Sequence, residues 1–235
     1  MSTLQEKRLV LHLNSVTLSG GGHRIRDAIS LSFPVRGSDL LFLRGERVGQ
    51  ARAIFDLCSG LTAPFGGSVH FLGRDWEQVQ PDIANAMRGR IGRVFSRGSW
   101  IEDMTIQENI LLPELHHTRR PIKEVQQEAG RLALHLGLPG IPLGYPADLP
   151  LSDLKRAAWI RAFLGNPSLI LLEEPTSQLG ERDVAPLIAL IRRARDRGAA
   201  VVWMTLNDSL WRDPSIPATS RYRLVGRRLL EMENR

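Results

Sequence analysis

The sequence predicts an α/β fold on a mostly parallel sheet, with an antiparallel β unit at the N-terminal end and helices inserted in the middle. Three observations carry this. The runs SLILL (168–172) and AAVVWMT (199–205) are apolar almost throughout, as strands covered on both faces require, and an amphipathic stretch separates them. Residues 9–33 alternate apolar and polar in LVLHLNSVTL and AISLSF, the period of a half-buried antiparallel strand. Between about 97 and 165 the strand texture gives way to helical spacing. The 235 residues, 26.3 kDa in all, read as one domain over 1–235.

Taken in order, LVLHLNSVTL is a strand, Gly20-Gly21-Gly22 a turn and AISLSF a second strand. Apolar LLFL (40–43) runs through Arg44-Gly45 into ARAIFDLCSGL, whose Ile54, Phe55, Leu57, Cys58 and Leu61 suit a helix packed on a sheet. GSVHFLG (67–73) and IGRVFS (91–96) are two further strands, and His116-His117 reads as solvated loop. IKEVQQEAGRLALHLGL places Val125, Ala129, Leu132 and Leu136 on one helical face. A Pro/Gly-rich loop follows, then helix SDLKRAAWIRAFLG with Ser152 as its expected N-cap. SLILL ends at Glu173-Glu174-Pro175, helix DVAPLIALIRRARDRG leads into AAVVWMT, and RYRLVGRRLLEM closes the chain as a hairpin around Gly226.

Composition removes several function classes. The net charge of +6 invites a polyanionic partner, but the 31 basic residues are scattered, and no helix-turn-helix, finger or aromatic–basic interleaving accompanies them; no nucleic-acid partner is expected. Only Lys7, Lys123 and Lys155 are lysines, so chemistry that needs a lysine between residues 7 and 123 is excluded. The one cysteine, Cys58, forms no intramolecular disulfide, fits a reducing compartment, and reads as a small buried hydrophobe. The six histidines show no zinc-type spacing with it, so no metal site is expected. No apolar run approaches the roughly 20 residues of a membrane span, and MSTLQEKRLV is too polar for a signal peptide. Work at a membrane would proceed through a partner or a surface.

Four segments in one order carry a resemblance. SLILLEEPTSQLG is similar to a Walker B strand with its following Glu and D-loop. IRAFLGNPS resembles the segment after a signature sequence, IGRVFS with MTIQENILLP a Q-loop region, and SGLTAPFGGSVHFLGRD the end of a phosphate-loop helix with the next strand. Together they resemble the nucleotide-binding domain of ATP-binding cassette (ABC) transporters over nearly the whole chain. The resemblance implies a P-loop NTPase-like cassette with a helical subdomain at about 97–165.

It also assigns positions, and the residues there depart from the pattern. A phosphate loop cradles phosphates with backbone N–H groups, reaches them with a Lys, and holds Mg²⁺ with a hydroxyl. The corresponding stretch here contains Gly45, Gly49, Gln50, Ala51, Arg52 and Ala53, with Ala51 for the Lys, Arg52 for the hydroxyl and Gln50 for the second Gly. Glu173 stands for the Walker B Asp, Glu174 matches the general base, Ser96 replaces the Q-loop Gln, Leu206 the switch His, and Gly180 the D-loop Asp. The signature becomes Leu149-Pro150-Leu151-Ser152-Asp153, in which Pro150 has no N–H and Leu151 is bulky.

The resemblance implies a transmembrane permease as partner, met through Trp100 and Ile101, and a dimer with itself or another cassette, on the inner face of the cytoplasmic membrane. The segment GSWIEDMTIQENILLPEL is similar to that of Mla-type (MCE-associated) lipid-transport ATPases. Two functional readings stand. In one, a degenerate cassette serves a permease without hydrolysis, and ATP and Mg²⁺ are bound only if the altered site still holds them. In the other, Glu174 works as general base, with Arg47 or Arg52 replacing the lysine. A nucleic-acid-binding cassette, resting on charge alone, is a distant third.

Overall fold

The computed structural model describes residues 7–18, 28–180 and 183–232; the expected turn at Gly20-Gly21-Gly22 lies outside them. Strand β1 (Leu9–Leu18) runs antiparallel to β2 (Ile29–Arg36), whose side chains alternate strictly between buried and exposed. Chain reversal at 37–39 feeds β3 (Leu40–Arg44), buried on both faces, and then helix α1 (Gln50–Cys58). Ile54, Phe55, Leu57 and Cys58 of α1 face the sheet; burial pushes the Cys58 thiol up to about 12, in keeping with an inert packing residue. Strands β4 (Gly66–Phe71) and β5 (Arg74–Asp75) extend the antiparallel unit beyond β1.

Helix α2 (Pro81–Arg88), which periodicity does not announce, precedes β6 (Ile91–Val94). Next come α3 (Ile106–His117), α4 (Ile122–His135) and α5 (Leu151–Phe163), joined in one apolar cluster by Ile106, Ile110, Val125, Ala129, Ala157 and Ile160 among others. Two expectations need correction here. His116 and His117 occupy the last turn of α3 and not a loop, with the His117 ring against Gly89. Ser152 is not the N-cap of α5: the helix begins at Leu151 after Pro150, whose fixed φ of −57° and missing N–H suit a helix start, and Ser152 lies inside the first turn.

The remaining elements are β7 (Leu169–Glu173), α6 (Val184–Asp196), β8 (Ala200–Thr205), the short α7 (Asp208–Arg212), β9 (Ser220–Val225) and β10 (Arg228–Met232). All ten strands form one sheet in the order β5-β4-β1-β2-β10-β9-β3-β8-β7-β6. From β9 to β6 every pairing is parallel; from β2 to β5 every pairing is antiparallel. One apolar cluster lies on each side: Phe42, its ring tilted against Trp203 at 4.9 Å, Leu172 and Trp159 on one, Phe33, Phe55, Leu171 and Val202 on the other. Helix α5 lies directly on β6, and a Cβ added at Gly92 would come within 1.8 Å of the Ala162 carbonyl oxygen. That contact fixes the helix over the C-terminal ends of β6 and β7, where the candidate site lies.

Candidate functional site

The segment expected as a phosphate loop leaves the C-terminal end of β3 and enters α1 through Gly49, whose φ of +88° is the left-handed conformation glycine tolerates. The strand-loop-helix corner has the expected shape. Its hydrogen bonding does not leave the loop open. The Gln50 side-chain oxygen accepts from the N–H of Glu46 at 2.8 Å and of Arg47 at 2.9 Å, so the protein's own carboxamide holds two N–H groups of the loop. Gly45 sits against Met204 and Leu206, since a Cβ there would lie 2.6 Å from Met204 Cε and 3.1 Å from Leu206 Cδ2. The Glu46 carboxylate accepts from the Gly226 N–H in the closing hairpin. Ala51 is buried and Ala53 half-buried, whereas Val48 at the tip is 88% exposed. The exposed Arg52 lies 5.9 Å from the Phe95 ring, and neither it nor Arg47 forms an ion pair with the described residues.

At the end of β7, Glu173 is buried, and one carboxylate oxygen accepts from Ser96 Oγ at 2.9 Å. Its other oxygen has no hydrogen bond and faces the Arg93 guanidinium at 3.7 Å. Arg93 is itself paired with Asp56 at 2.6 Å and stacked on Phe95 at 4.5 Å. Glu174, in left-handed backbone at φ +45°, turns toward β8. Its carboxylate accepts from the Leu206 N–H and from Thr205 Oγ1 at 3.2 Å. Burial raises the Glu174 pKa, against the pull of those two donors and of the Arg44 and Lys155 charges. Leu206, half-buried, presents carbon toward Gly45 where the resemblance expects an imidazole.

Sequence reasoning missed Arg93 and a second cation in this region. Lys155, on α5 and 4% exposed, donates to the Ser96 carbonyl at 2.8 Å and to Ser177 Oγ at 3.0 Å. Its type was visible as one of three lysines, but nothing in the sequence marks a cation on a helix as buried.

The residues fit a nucleoside triphosphate with a divalent cation poorly. Among the described residues no ammonium bonds to the loop, Gln50 occupies two loop N–H groups, and the open oxygen of Glu173 already faces a guanidinium. A groove of about 620 Å³ lies elsewhere, between the Thr176–Gly180 turn, α6 and α7, and is lined by Leu179, Val184, Asn207 and Leu210 among others.

The signature-like stretch stands at the start of α5. Leu149 is half-buried, Pro150 is exposed and caps the helix, and Leu151 is 46% exposed. Asp153 and Ser152 engage each other, and Arg156 pairs with Asp153 at 3.5 Å and with Asp183 at 2.8 Å. The loop after β6 is built more firmly. Arg161 stacks on the half-buried Trp100 at 4.4 Å and donates to the Gly98 and Ser99 carbonyls; burial lowers its pKa to about 10. Asn109, 2% exposed, accepts from the Ile101 N–H and donates to the Ile101, Met104 and Thr105 carbonyls. Ile101 itself is 44% exposed. No group of His, Cys, Asp and Glu able to hold a metal ion occurs among the described residues, and no helix there is long and apolar enough to cross a membrane.

Comparison with known proteins places these features. The bacitracin export ATP-binding protein BceA of Halalkalibacterium halodurans is 25% identical over 182 residues, covering 74% of this chain and 72% of that protein. The lipoprotein-releasing system ATP-binding protein LolD of Buchnera aphidicola is 27% identical over 168 residues, covering 71% of this chain and 73% of the relative. Among solved structures, the dimeric post-hydrolysis state of the ATP-binding cassette MJ0796 bound to ADP and Pi superimposes with a TM-score of 0.83 over 96% of this chain and 99% of that one, at 20% identity, and so shares the fold. A sequence model described as ABC transporter matches residues 53–177, more than half of the chain. The chain belongs to the ABC transporter family, with the fold of its ATP-binding cassettes.

Proposed function

We propose that this chain is an ATP-binding-cassette subunit of a transporter that retains the fold and docking surfaces of its family without hydrolysing ATP. It serves as a structural or regulatory partner of a transmembrane permease, on the cytoplasmic side of the membrane, within a dimer of cassettes. Residues 97–165 act as its helical subdomain, and Trp100 and Ile101 belong to the permease contact. The single observation that carries the reading is the closed loop: the Gln50 carboxamide accepts from Glu46 and Arg47 N–H, and Ala51 stands where an ammonium is needed. A phosphate would have to displace an internal acceptor and would then find no lysine.

Glu173, Glu174 and Leu206 support the same reading, because each is engaged with the protein's own groups and packing and not open toward the loop. For the cargo, the segment 98–115 favours envelope lipid, by its likeness to lipid-transport cassettes. Titration of the purified protein with a fluorescent ATP analogue, with and without Mg²⁺, tests the reading. The expected result is no saturable binding in either condition, together with co-purification of a membrane permease. Mg²⁺-dependent, saturable binding that Glu174→Gln or Arg52→Ala abolishes would overturn it in favour of a working ATPase.

A further inference from the structure

The carboxylates at the end of β7 are not left without counter-charge. Arg93 faces Glu173 from β6, and the Lys155 ammonium holds the carbonyl of the same Ser96 whose hydroxyl Glu173 holds. Lys155 is 4% exposed, and a cation that far from water needs hydrogen-bond partners inside the protein. Its two hydrogen bonds run to two different loops: the Ser96 carbonyl, where the chain leaves β6, and the Ser177 hydroxyl, in the turn after Glu174. Ser96 is gripped a second time through its hydroxyl, by Glu173. From the same helix, nearly two turns on, Arg161 takes the Gly98 and Ser99 carbonyls. Two cations of α5 therefore hold three backbone carbonyls of the loop that carries Trp100 and Ile101.

We propose that Lys155 is a positioning residue: its buried ammonium takes the place of a bound divalent cation at Glu173 and Glu174, and sets the loop after Ser96 in one position without any ligand. The loop is presented to a partner constitutively. Burial lowers the pKa of Lys155, and the charges of Glu174 and Glu173 oppose that shift. The inference rests on the reading that no nucleotide-bound cation serves this site.

Hydrogen–deuterium exchange of the full chain tests it, comparing wild type, Lys155→Met and Ser177→Ala, each with and without millimolar Mg²⁺. In the wild type, Mg²⁺ leaves exchange unchanged. In Lys155→Met, peptides spanning 95–105 and 174–180 exchange about tenfold faster or more, because a charged hydrogen-bonding group is lost, while β3 and β8 keep their protection. Millimolar Mg²⁺ then restores part of that protection, as a cation can and a packing group cannot. Ser177→Ala, which leaves the ammonium in place, gives a smaller rise in the same peptides.

Unchanged exchange in Lys155→Met overturns the proposal. So does a uniform rise across the whole sheet with Ser177→Ala silent, which marks lost packing, and so does protection of the wild type by Mg²⁺. Saturable binding of the ATP analogue by the wild type speaks against the underlying reading. Unaltered exchange in Lys155→Met without analogue binding removes only the role given to Lys155.

Discussion

The loop after β3 and the loop after β6 leave the same, C-terminal end of the parallel strands, and a side-chain carboxamide holds each. Gln50 holds the first through two N–H groups of exposed residues, from a side chain that is itself half in solvent. Asn109 holds the second from inside the protein, with four hydrogen bonds, and is backed by a capping box in which Thr105 and Glu108 satisfy each other's backbone N–H groups. One loop is merely closed; the other is constructed. The invested structure lies in the loop that faces outward with Trp100 and Ile101 and not in the loop that would hold phosphate. That distribution agrees with the proposed reading, in which contacts and not hydrolysis are retained.

The contrast is testable from its strongest term downward. Asn109→Ala removes a buried group and leaves three carbonyls and one N–H to find new partners. It should cost about 3 kcal/mol, a fall in melting temperature of about 6–12 °C for a chain of this size, read by thermal denaturation. Loss of no more than a degree or two would show that the loop is held by Arg161 and packing instead. Thr105→Ala breaks the capping box and should cost about 1 kcal/mol, seen as a shift in denaturant midpoint at constant slope.

Gln50→Ala releases N–H groups that water can reach, so the expected cost is about 0.5 kcal/mol or less. A loss as large as that of Asn109→Ala would erase the distinction between the loops. The smallest effect concerns pH. Hydrogen bonds from Thr105 hold the Glu108 carboxyl below its ordinary value. Its contribution is therefore present above the ordinary carboxylate pKa and is lost as pH falls through the depressed one. The stability gap between wild type and Glu108→Gln, followed across acid pH, should narrow in that direction only.

The parallel core was legible because strands buried on both faces leave unbroken apolar runs, and β7 and β8 occur where SLILL and AAVVWMT place them. Helix α3 was not, although Thr105-Ile106-Gln107-Glu108 spells a capping box. Its apolar residues are spread around the helix, and Pro113 lies within it, so no single face shows. In the candidate site the missing groups were readable directly: an alanine cannot act as a lysine, nor a leucine as a histidine. The replacements were not. That the Gln50 carboxamide folds back on its own loop depends on a turn of about four residues whose dihedrals the sequence does not announce. The Lys155 contact joins residues 96, 155 and 177, whose proximity exists only once α5 has settled on β6 over Gly92.

The sheet is continuous only because β10 lies between β2 and β9, meeting β2 through the Arg228–Ser30 pair and the Ser30 N–H bond to the Arg227 carbonyl. Two segments far apart in sequence, at Ser30 and Arg228, are thus neighbours. While the chain is being synthesised, β1 and β2 can pair with each other and then with β4, but β2 has no partner on its other edge until the β9–β10 hairpin leaves the ribosome. The newborn β1-β2-β4 unit therefore carries an open strand edge until β10 emerges, and in that interval it is exposed to edge-to-edge pairing with other chains.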